Sequence, residues 1–360
     1  MEIIIAATTE AFEKEYSRKI ETKFKTLYNG KLKEYLNIAI TQNIDERTIH
    51  MSQEKYITTF IEQHQIPIDE TIDTPLMPNA VIKKFEEENL NESQISYVNE
   101  YPYKEVIGCL LYVCICTMPM IAYTISVLSK FSNDPSHSAC KALSRLAKFV
   151  YNKRKVGLTL GGGPPHIVGF SDSDFAGDIL TRRSRSSSIN FIANGPICWY
   201  SKMQACITNS TMEAEFVALC PAVQNNNYMR NILQNTHIPA LQYKYATTIY
   251  GDNDASLAVA ERPVHHQKTK HIDIKYKYTC EQIDIKNIVV DRVSSEYNIS
   301  DPFTKNVTPT VFKRHEPTMC GLGNIKRSSK REVTKKNDHI DCPRCAYSLA
   351  MQEAAVEEEY

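Results

Sequence analysis

Four acidic residues far apart in the chain stand where an α/β fold could gather them: Asp172, Glu215, Asp252 and Asp301. Asp172 belongs to the run His166-Ile-Val-Gly-Phe-Ser-Asp-Ser-Asp-Phe-Ala-Gly177, whose alternation predicts a strand with Asp172 on the face of Val168 and Phe170. Glu215 falls in the first turns of a predicted helix, Asp252 ends a second apolar run, and Asp301 opens a last helical turn. Ligands of open α/β sheets sit beyond the carboxyl ends of the strands, so carboxylates there are candidates for metal binding or proton transfer. Gathered in one crevice, such groups repel one another strongly at low dielectric unless cations neutralise them. An oxygen-only donor set selects hard ions, Mg2+ or Mn2+. Two such ions about 4 Å apart can hold a phosphodiester, generate hydroxide from water and stabilise the leaving oxygen. The chemistry implied is phosphodiester hydrolysis in a nucleic acid.

The elements that must position these acids can be read in order. Ile3-Ile-Ile-Ala6 predicts a buried strand, and Thr8 or Thr9 caps a charged helix after it. Residues 36–40 and 48–52 predict a hairpin, and Ser52 is the expected N-cap of a helix reaching about Gln65. Residues 66–100, rich in Pro, Glu, Asn and Asp, predict a surface linker or wrap. Apolar residues at helical spacing then mark three helices: Val106, Leu110, Leu111 and Cys114; Ile121, Ile125, Leu128 and Phe131; Ala142, Leu146 and Phe149. Gly161-Gly-Gly-Pro-Pro165 joins them to the strand of Asp172. Runs 189–193 and 197–200 flank Asn194-Gly195, a strong hairpin signal. Ser210-Thr-Met-Glu213 is a capping box, and Pro221 is expected to kink the helix it opens. Residues 247–252 and 287–293 predict two further strands, and 254–260 and 268–282 helices. Three strands of meander followed by α/β alternation make a mixed sheet with helices on its faces.

Composition narrows the partners. The chain has 360 residues, 42% hydrophobic and 23% charged, as expected of a packed globular protein. Lys plus Arg and Asp plus Glu each number 42, so any surface that attracts a polyanion must be local. Eleven cysteines without a framework-like spacing, and an N-terminus without a basic signal region, point to reduced thiols in a cytoplasmic or nuclear protein. The longest apolar run, from Val106 to Cys116, is too short for a membrane helix, which needs about 20 residues, so no membrane contact is expected.

The blocks Gly-Phe-Ser-Asp-Ser-Asp-Phe-Ala-Gly-Asp, Arg-Arg-Ser, Ile-Cys-Trp-Tyr-Ser-Lys-Met-Gln, Ser-Thr-Met-Glu-Ala-Glu-Phe-Val-Ala-Leu, Gly-Asp-Asn-Asp-Ala-Ser-Leu, His-His-Gln-Lys-Thr-Lys-His-Ile-Asp-Ile and Ser-Asp-Pro-Phe-Thr-Lys follow one another between His166 and Lys305. In that order they resemble the RNase H domain of copia-type LTR retrotransposon Pol polyproteins. Upstream, Ser-Gln-Glu-Lys-Tyr-Ile at 52–57, Thr74-Pro75, Tyr103-Lys-Glu-Val-Ile-Gly-Cys-Leu-Leu-Tyr112 and Val127-Leu-Ser-Lys-Phe131 resemble the end of the same element's reverse transcriptase. The resemblance covers residues 1 to about 320. It implies a fold: an RNase H-like mixed five-stranded sheet with flanking helices, preceded by a mainly helical thumb and connection. The expected boundaries are a reverse transcriptase palm-end and thumb remnant at 1–65, a linker at 66–102, a helical connection at 103–160, an RNase H-like domain at 161–310 and a charged, disordered tail at 311–360. It further implies that Asp172, Glu215, Asp252 and Asp301 are the metal-binding catalytic acids of a ribonuclease that cuts the RNA strand of RNA:DNA hybrids. Met1-Glu2 stands where the family's paired polymerase aspartates would precede Ile3, so polymerase activity is not expected. Three departures from the family pattern, Met118-Pro-Met-Ile121, Ser186-Ser-Ser188 and Pro221, frame the alternative of a catalytically silent nucleic-acid-binding relic.

Other residues have plainer or weaker readings. Arg182, Arg183, Arg185, Lys268, Lys270 and His271 could face nucleic-acid phosphates, or belong to solvated loops. Glu213 is the capping-box partner of Ser210, Asp174 and Asp254 are turn residues, and Trp199 is expected in the core. His339, Cys342 and Cys345 have zinc-like spacing, with Cys320 or another chain as the fourth ligand; a charged disordered tail is the competing reading. The apolar face of the helical segment, residues 1–155, is expected to favour self-association.

Overall fold

The computed structural model describes residues 3–6, 9–26, 28, 30–78, 80–178, 181–236, 246–261 and 270–325. In chain order the elements begin with α1 (Glu10–Glu21), strands β1 (Glu34–Tyr35), β2 (Ile38–Asn43) and β3 (Thr48–Ser52), and α2 (Glu54–Gln63). Helices α3 (Glu92–Glu100), α4 (Tyr103–Cys116), α5 (Ala122–Leu128) and α6 (His137–Asn152) follow, then β4 (Leu158–Gly161). The second half holds β5 (Ile167–Asp174), β6 (Arg185–Ile192), β7 (Gly195–Met203), α7 (Thr211–Asn235), β8 (Thr247–Gly251), α8 (Asp254–Glu261), α9 (Lys270–Asp284), β9 (Ile288–Arg292) and α10 (Pro309–Met319). Among the described residues no helix is long and apolar enough to cross a membrane.

The larger sheet has the order β7-β6-β5-β8-β9, antiparallel from β7 to β5 and parallel from β5 to β9. Three antiparallel strands followed by two parallel ones, with helices between the parallel strands, make this an RNase H-like mixed sheet. Its two faces are covered differently. Phe216, Leu219 and Val223 of α7 pack with Ile249, Leu257, Ile288 and Val290 on one face. On the other, Val168, Phe170, Ile189, Phe191 and Tyr250 join the core of the helical half in a single cluster with Leu110, Ile121, Leu143, Leu146 and Phe149. Phe170 stacks on Tyr250 with ring centroids 5.2 Å apart and meets Phe191 edge-on. Truncating a ring buried like Phe170 typically destabilises by about 3 to 5 kcal/mol. Trp199, expected in this core, donates its indole N–H to the Cys114 carbonyl at 3.0 Å and so ties β7 to α4.

Several expectations are corrected. Ile3–Ala6 is not a buried strand: Ile3 and Ile4 are exposed, and no described strand pairs with them. The cap of α2 is Gln53, with Ser52 Oγ accepting from the Glu54 N–H instead. Segment 66–102 is more than a linker, since it forms α3, buries Ile66, Ile72, Leu76 and Val98, and presents the Glu88 carboxylate to the N–H groups of His137 and Ser138 at 2.8 and 3.0 Å. Those donors are the free first-turn amides of α6, where an anion is favoured. Residues 158–161, read as the end of the helical connection and a linker, instead add β4 to the β2–β3 hairpin. In the β6–β7 hairpin the turn residues are Ala193 and Asn194, both with positive φ, and Gly195 is already paired with Ile192. Gly195 is required because a Cβ there would lie 2.6 Å from Leu160 Cα. The tail does not begin at 311: α10 buries Phe312, His315 and Met319, and Phe312 packs edge-on against Phe149. Cys320, just after it, is also buried, and its thiol contacts Met120 Sδ at 3.8 Å, so it is not available as a zinc ligand. His339, Cys342 and Cys345 lie outside the described residues.

Candidate metal centre

Strand register explains why two of the acids meet. The parallel pair β5–β8 aligns Val168 with Thr248, Gly169 with Ile249 and Phe170 with Tyr250. Continued by two residues, that register sets Asp172 beside Asp252 where the strands part. Glu215 comes from α7, whose start is held by Ser210 Oγ accepting from the Glu213 N–H at 3.2 Å and by Glu213 Oε2 accepting from the Asn209 N–H at 2.7 Å. Glu213 is therefore spent on the cap. Glu215, two residues further round the helix, is turned towards the sheet edge instead. Ligand oxygens of Asp172, Glu215 and Asp252 lie within 4.8 Å of one another.

Asp301 approaches on a turn of 3-10 helix, Asp301–Phe303, anchored by buried polar contacts. Asn298 donates to the Ser171 carbonyl at 3.1 Å, Ser187 Oγ donates to the Ser300 carbonyl at 3.0 Å, and Phe303 fills the core below. The same turn carries Thr304, whose hydroxyl donates to Asp172 Oδ2, and Lys305, whose Nζ lies 2.5 Å from Asp301 Oδ1. Asp172 and Asp301 are buried, Glu215 and Asp252 half-buried.

Electrostatics reflect the crowding. Burial, then the charges of Asp301 and Asp252, pushes Asp172 up to about 8. Burial, then Asp172 and Asp252, pushes Glu215 up to about 9. Asp301 is raised by burial and Asp252 against the pull of Lys305. Carboxylates this close and this dry need either protons or a cation between them. Their all-oxygen donor set fits a hard divalent ion, with Asp172, Glu215 and Asp252 as its ligands and Asp301 at its side.

No family model matches the chain. It is 28% identical over 289 residues to the retrovirus-related Pol polyprotein from transposon TNT 1-94 of Nicotiana tabacum, covering 79% of this chain and 21% of the relative. To the corresponding polyprotein from transposon RE1 of Arabidopsis thaliana it is 26% identical over 266 residues, 74% of this chain and 17% of the relative. The chain is thus similar to copia-type retrotransposon Pol polyproteins. It spans about a fifth of the length of these Pol relatives. A 124-residue stretch is also 35% identical to the secreted RxLR effector protein 161 of Plasmopara viticola, covering 34% of this chain and 87% of that protein. Among solved structures, LC11-RNase H1 aligns over 39% of this chain and 92% of its own at 15% identity and TM-score 0.30. The foamy viral protease-reverse transcriptase in complex with double-stranded DNA aligns over 75% of this chain and 39% of its own at 10% identity and TM-score 0.39.

The remaining candidates fall in different places. Arg182 and Arg183 are exposed on the β5–β6 loop, where Asp178 accepts the Arg182 N–H at 2.8 Å. Lys268 lies outside the described residues, while Lys270 and His271 belong to the backbone of α9. Sequence reasoning missed Thr304 and Lys305, although their spacing of three and four from Asp301 is the one that shares a helical face. Arg185, grouped with Arg182 and Arg183 as a phosphate contact, is instead a buried guanidinium that donates to Ser126 at 2.7 Å and Ser201 at 3.1 Å and sits over the Tyr123 ring, joining α5 to the sheet. Asp174, expected as a turn residue, is the last residue of β5 and faces Arg185 across the ladder. The Ser187 departure is accommodated, since its hydroxyl supports the turn that carries Asp301.

Proposed function

We propose that this Pol segment is a ribonuclease H that hydrolyses the RNA strand of RNA:DNA hybrids with two divalent ions, Mg2+ or Mn2+. The observation that carries the reading is the convergence of Asp172, Glu215 and Asp252, from three distant segments, to within 4.8 Å. In this reading Asp172 and Asp252 would hold both ions, and Glu215 and Asp301 would each hold one. The bound ions supply Lewis-acid activation of water and stabilisation of charge on the leaving oxygen. The chain's own residues do the positioning. Thr304 holds one oxygen of Asp172, the capped start of α7 fixes the approach of Glu215, and the buried contacts of Asn298 and Ser187 set the turn of Asp301. Arg182 and Arg183, exposed on the β5–β6 loop, are assigned to the phosphate backbone of the hybrid, where such contacts add affinity without sequence choice. The silent-relic alternative draws no support from Ser187 or Pro221. The first is hydrogen-bonded beneath Asp301, and the second sits inside a continuous helix.

The test is cleavage of an end-labelled RNA:DNA hybrid by the whole chain in Mg2+ or Mn2+. The whole chain is needed because one face of the catalytic sheet is buried against the helical half. Metal-dependent products lost in Asp172→Asn are expected. Absence of cleavage in either metal, or equal cleavage by the variant, refutes the reading.

A further inference from the structure

Lys305 is a cation set among anions that the proposed chemistry has not used. Its Nζ lies 2.5 Å from Asp301 Oδ1, four residues before it on the same turn. Its side chain is about half exposed, at 50%, while that of Asp301 is at 12%, so the ammonium caps the buried carboxylate from the solvent side. Burial alone would weaken the charge on Lys305. Asp301, Asp172 and Asp174 outweigh it and hold the ammonium more firmly protonated than an ordinary lysine. The next residue back, Thr304, places its hydroxyl on Asp172. One short turn thus delivers a ligand, a hydroxyl donor and a fixed positive charge to the same cluster.

We propose that Lys305 is a tethered counter-cation that competes with a divalent ion for Asp301 and thereby sets how tightly the cluster takes up its second ion. The inference rests on the two-ion reading above. The Asp301 oxygen that contacts the ammonium is unavailable to an ion until the lysine swings away, and the half-exposed side chain is free to do so on its flexible stem. The ion completed by Glu215 is little affected, because among the four acids Lys305 contacts Asp301. The lysine therefore separates the two sites in affinity: one fills readily, and the other fills only when an ion or a substrate-borne ion displaces the ammonium.

An opposite charge within hydrogen-bond reach changes the affinity of a carboxylate for a proton by roughly ten- to a thousandfold. Because the lysine is half in solvent, the low end applies, and removal should tighten one Mn2+ site by about tenfold. The experiment is calorimetric titration of the whole chain with Mn2+, without substrate, for wild type, Lys305→Met, Lys305→Arg and Asp172→Asn. Thermal denaturation in EDTA and in Mn2+ is run alongside. We expect two unequal Mn2+ sites in the wild type. Lys305→Met should tighten the weaker one and leave the stronger within twofold, while Lys305→Arg stays near wild type. In EDTA, Lys305→Met should melt lower than wild type, with Mn2+ closing the gap, because the cluster has lost its internal cation. Unchanged Mn2+ affinities in Lys305→Met overturn the proposal, as does weakening of both sites. So does a variant that only loses affinity for an RNA:DNA hybrid, which would make Lys305 a phosphate contact. The acid-cluster reading fails separately: in that case wild type and Asp172→Asn take up Mn2+ alike, or neither takes it up.

Discussion

Asp172→Asn should stabilise the metal-free protein while abolishing its response to metal. Asp172 is buried at the strand edge, and its carboxyl is pushed up from 3.8 to about 8 by burial and by Asp301 and Asp252. Below about pH 4 the group is protonated in both folded and unfolded chains. Between pH 4 and 8 the folded protein holds a proton that the unfolded chain releases, so stability falls as pH rises through this window. Each tenfold in proton affinity is worth about 1.4 kcal/mol, which sets a ceiling on the order of 5 kcal/mol at pH 8. An effective dielectric nearer 20 than 4 brings the working figure to about 2 kcal/mol, or roughly 3 to 5 °C in melting temperature. The neutral, near-isosteric Asn keeps the bulk without the charge. Thermal denaturation of the whole chain at pH 5.5, 7 and 8.5, in EDTA and in Mg2+, is the assay. Wild type should lose stability with rising pH in EDTA and regain it in Mg2+; the variant should lose less, because Glu215 and Asp301 still titrate, and should regain none in Mg2+. Parallel pH curves for the two proteins in EDTA would refute the electrostatic reasoning. Equal stabilisation by Mg2+ would refute the assignment of Asp172 as a ligand.

Three further outcomes are expected. Residues 161–310 expressed alone should bind a hydrophobic dye and melt well below the whole chain, because Val168, Phe170, Ile189 and Phe191 lose their cover; a cooperative fold of equal stability would contradict the shared core. His315 is buried with no partner on Nε2, and burial followed by the charge of Arg314 lowers it to about 4. Its contribution is thus present above pH 6.5 and lost as pH falls through 4, by up to about 3 kcal/mol, so His315→Gln should flatten the acid limb of a denaturation series. Gly169→Ala should destabilise by about 1 to 3 kcal/mol in urea denaturation, since its Cβ would lie 2.6 Å from Asn190 Oδ1 in a fully buried site between β6 and α7.

Legibility from sequence tracked the range of the interaction. The alternation of 167–175, the capping box at Ser210 and the positions of the later strands depend on neighbours a few residues away, and the elements lie where those signals put them. Ile3–Ala6 failed because apolar composition alone does not supply a pairing partner. Strand β4 and helix α10 were missed because their reasons to form are distant: β4 completes the hairpin of β2 and β3, and α10 exists to cover Phe149. Pro221 lies within α7 without ending it, since the packing of the helix against the sheet outweighs one missing hydrogen bond.

By itself the sequence determined that four acids stand at the ends of elements, that three of the five strands form a meander, and that the chain resembles copia-type Pol. These are properties of residue type, spacing and order. Only the tertiary structure decided that Asp172 and Asp252 share a register and that Thr304 and Lys305 join the cluster. It also decided that the five-stranded sheet and the helical half share one core. The reason is that periodicity tells a side chain which face of its own element it occupies, whereas its partner is chosen by packing among elements brought together from across the chain.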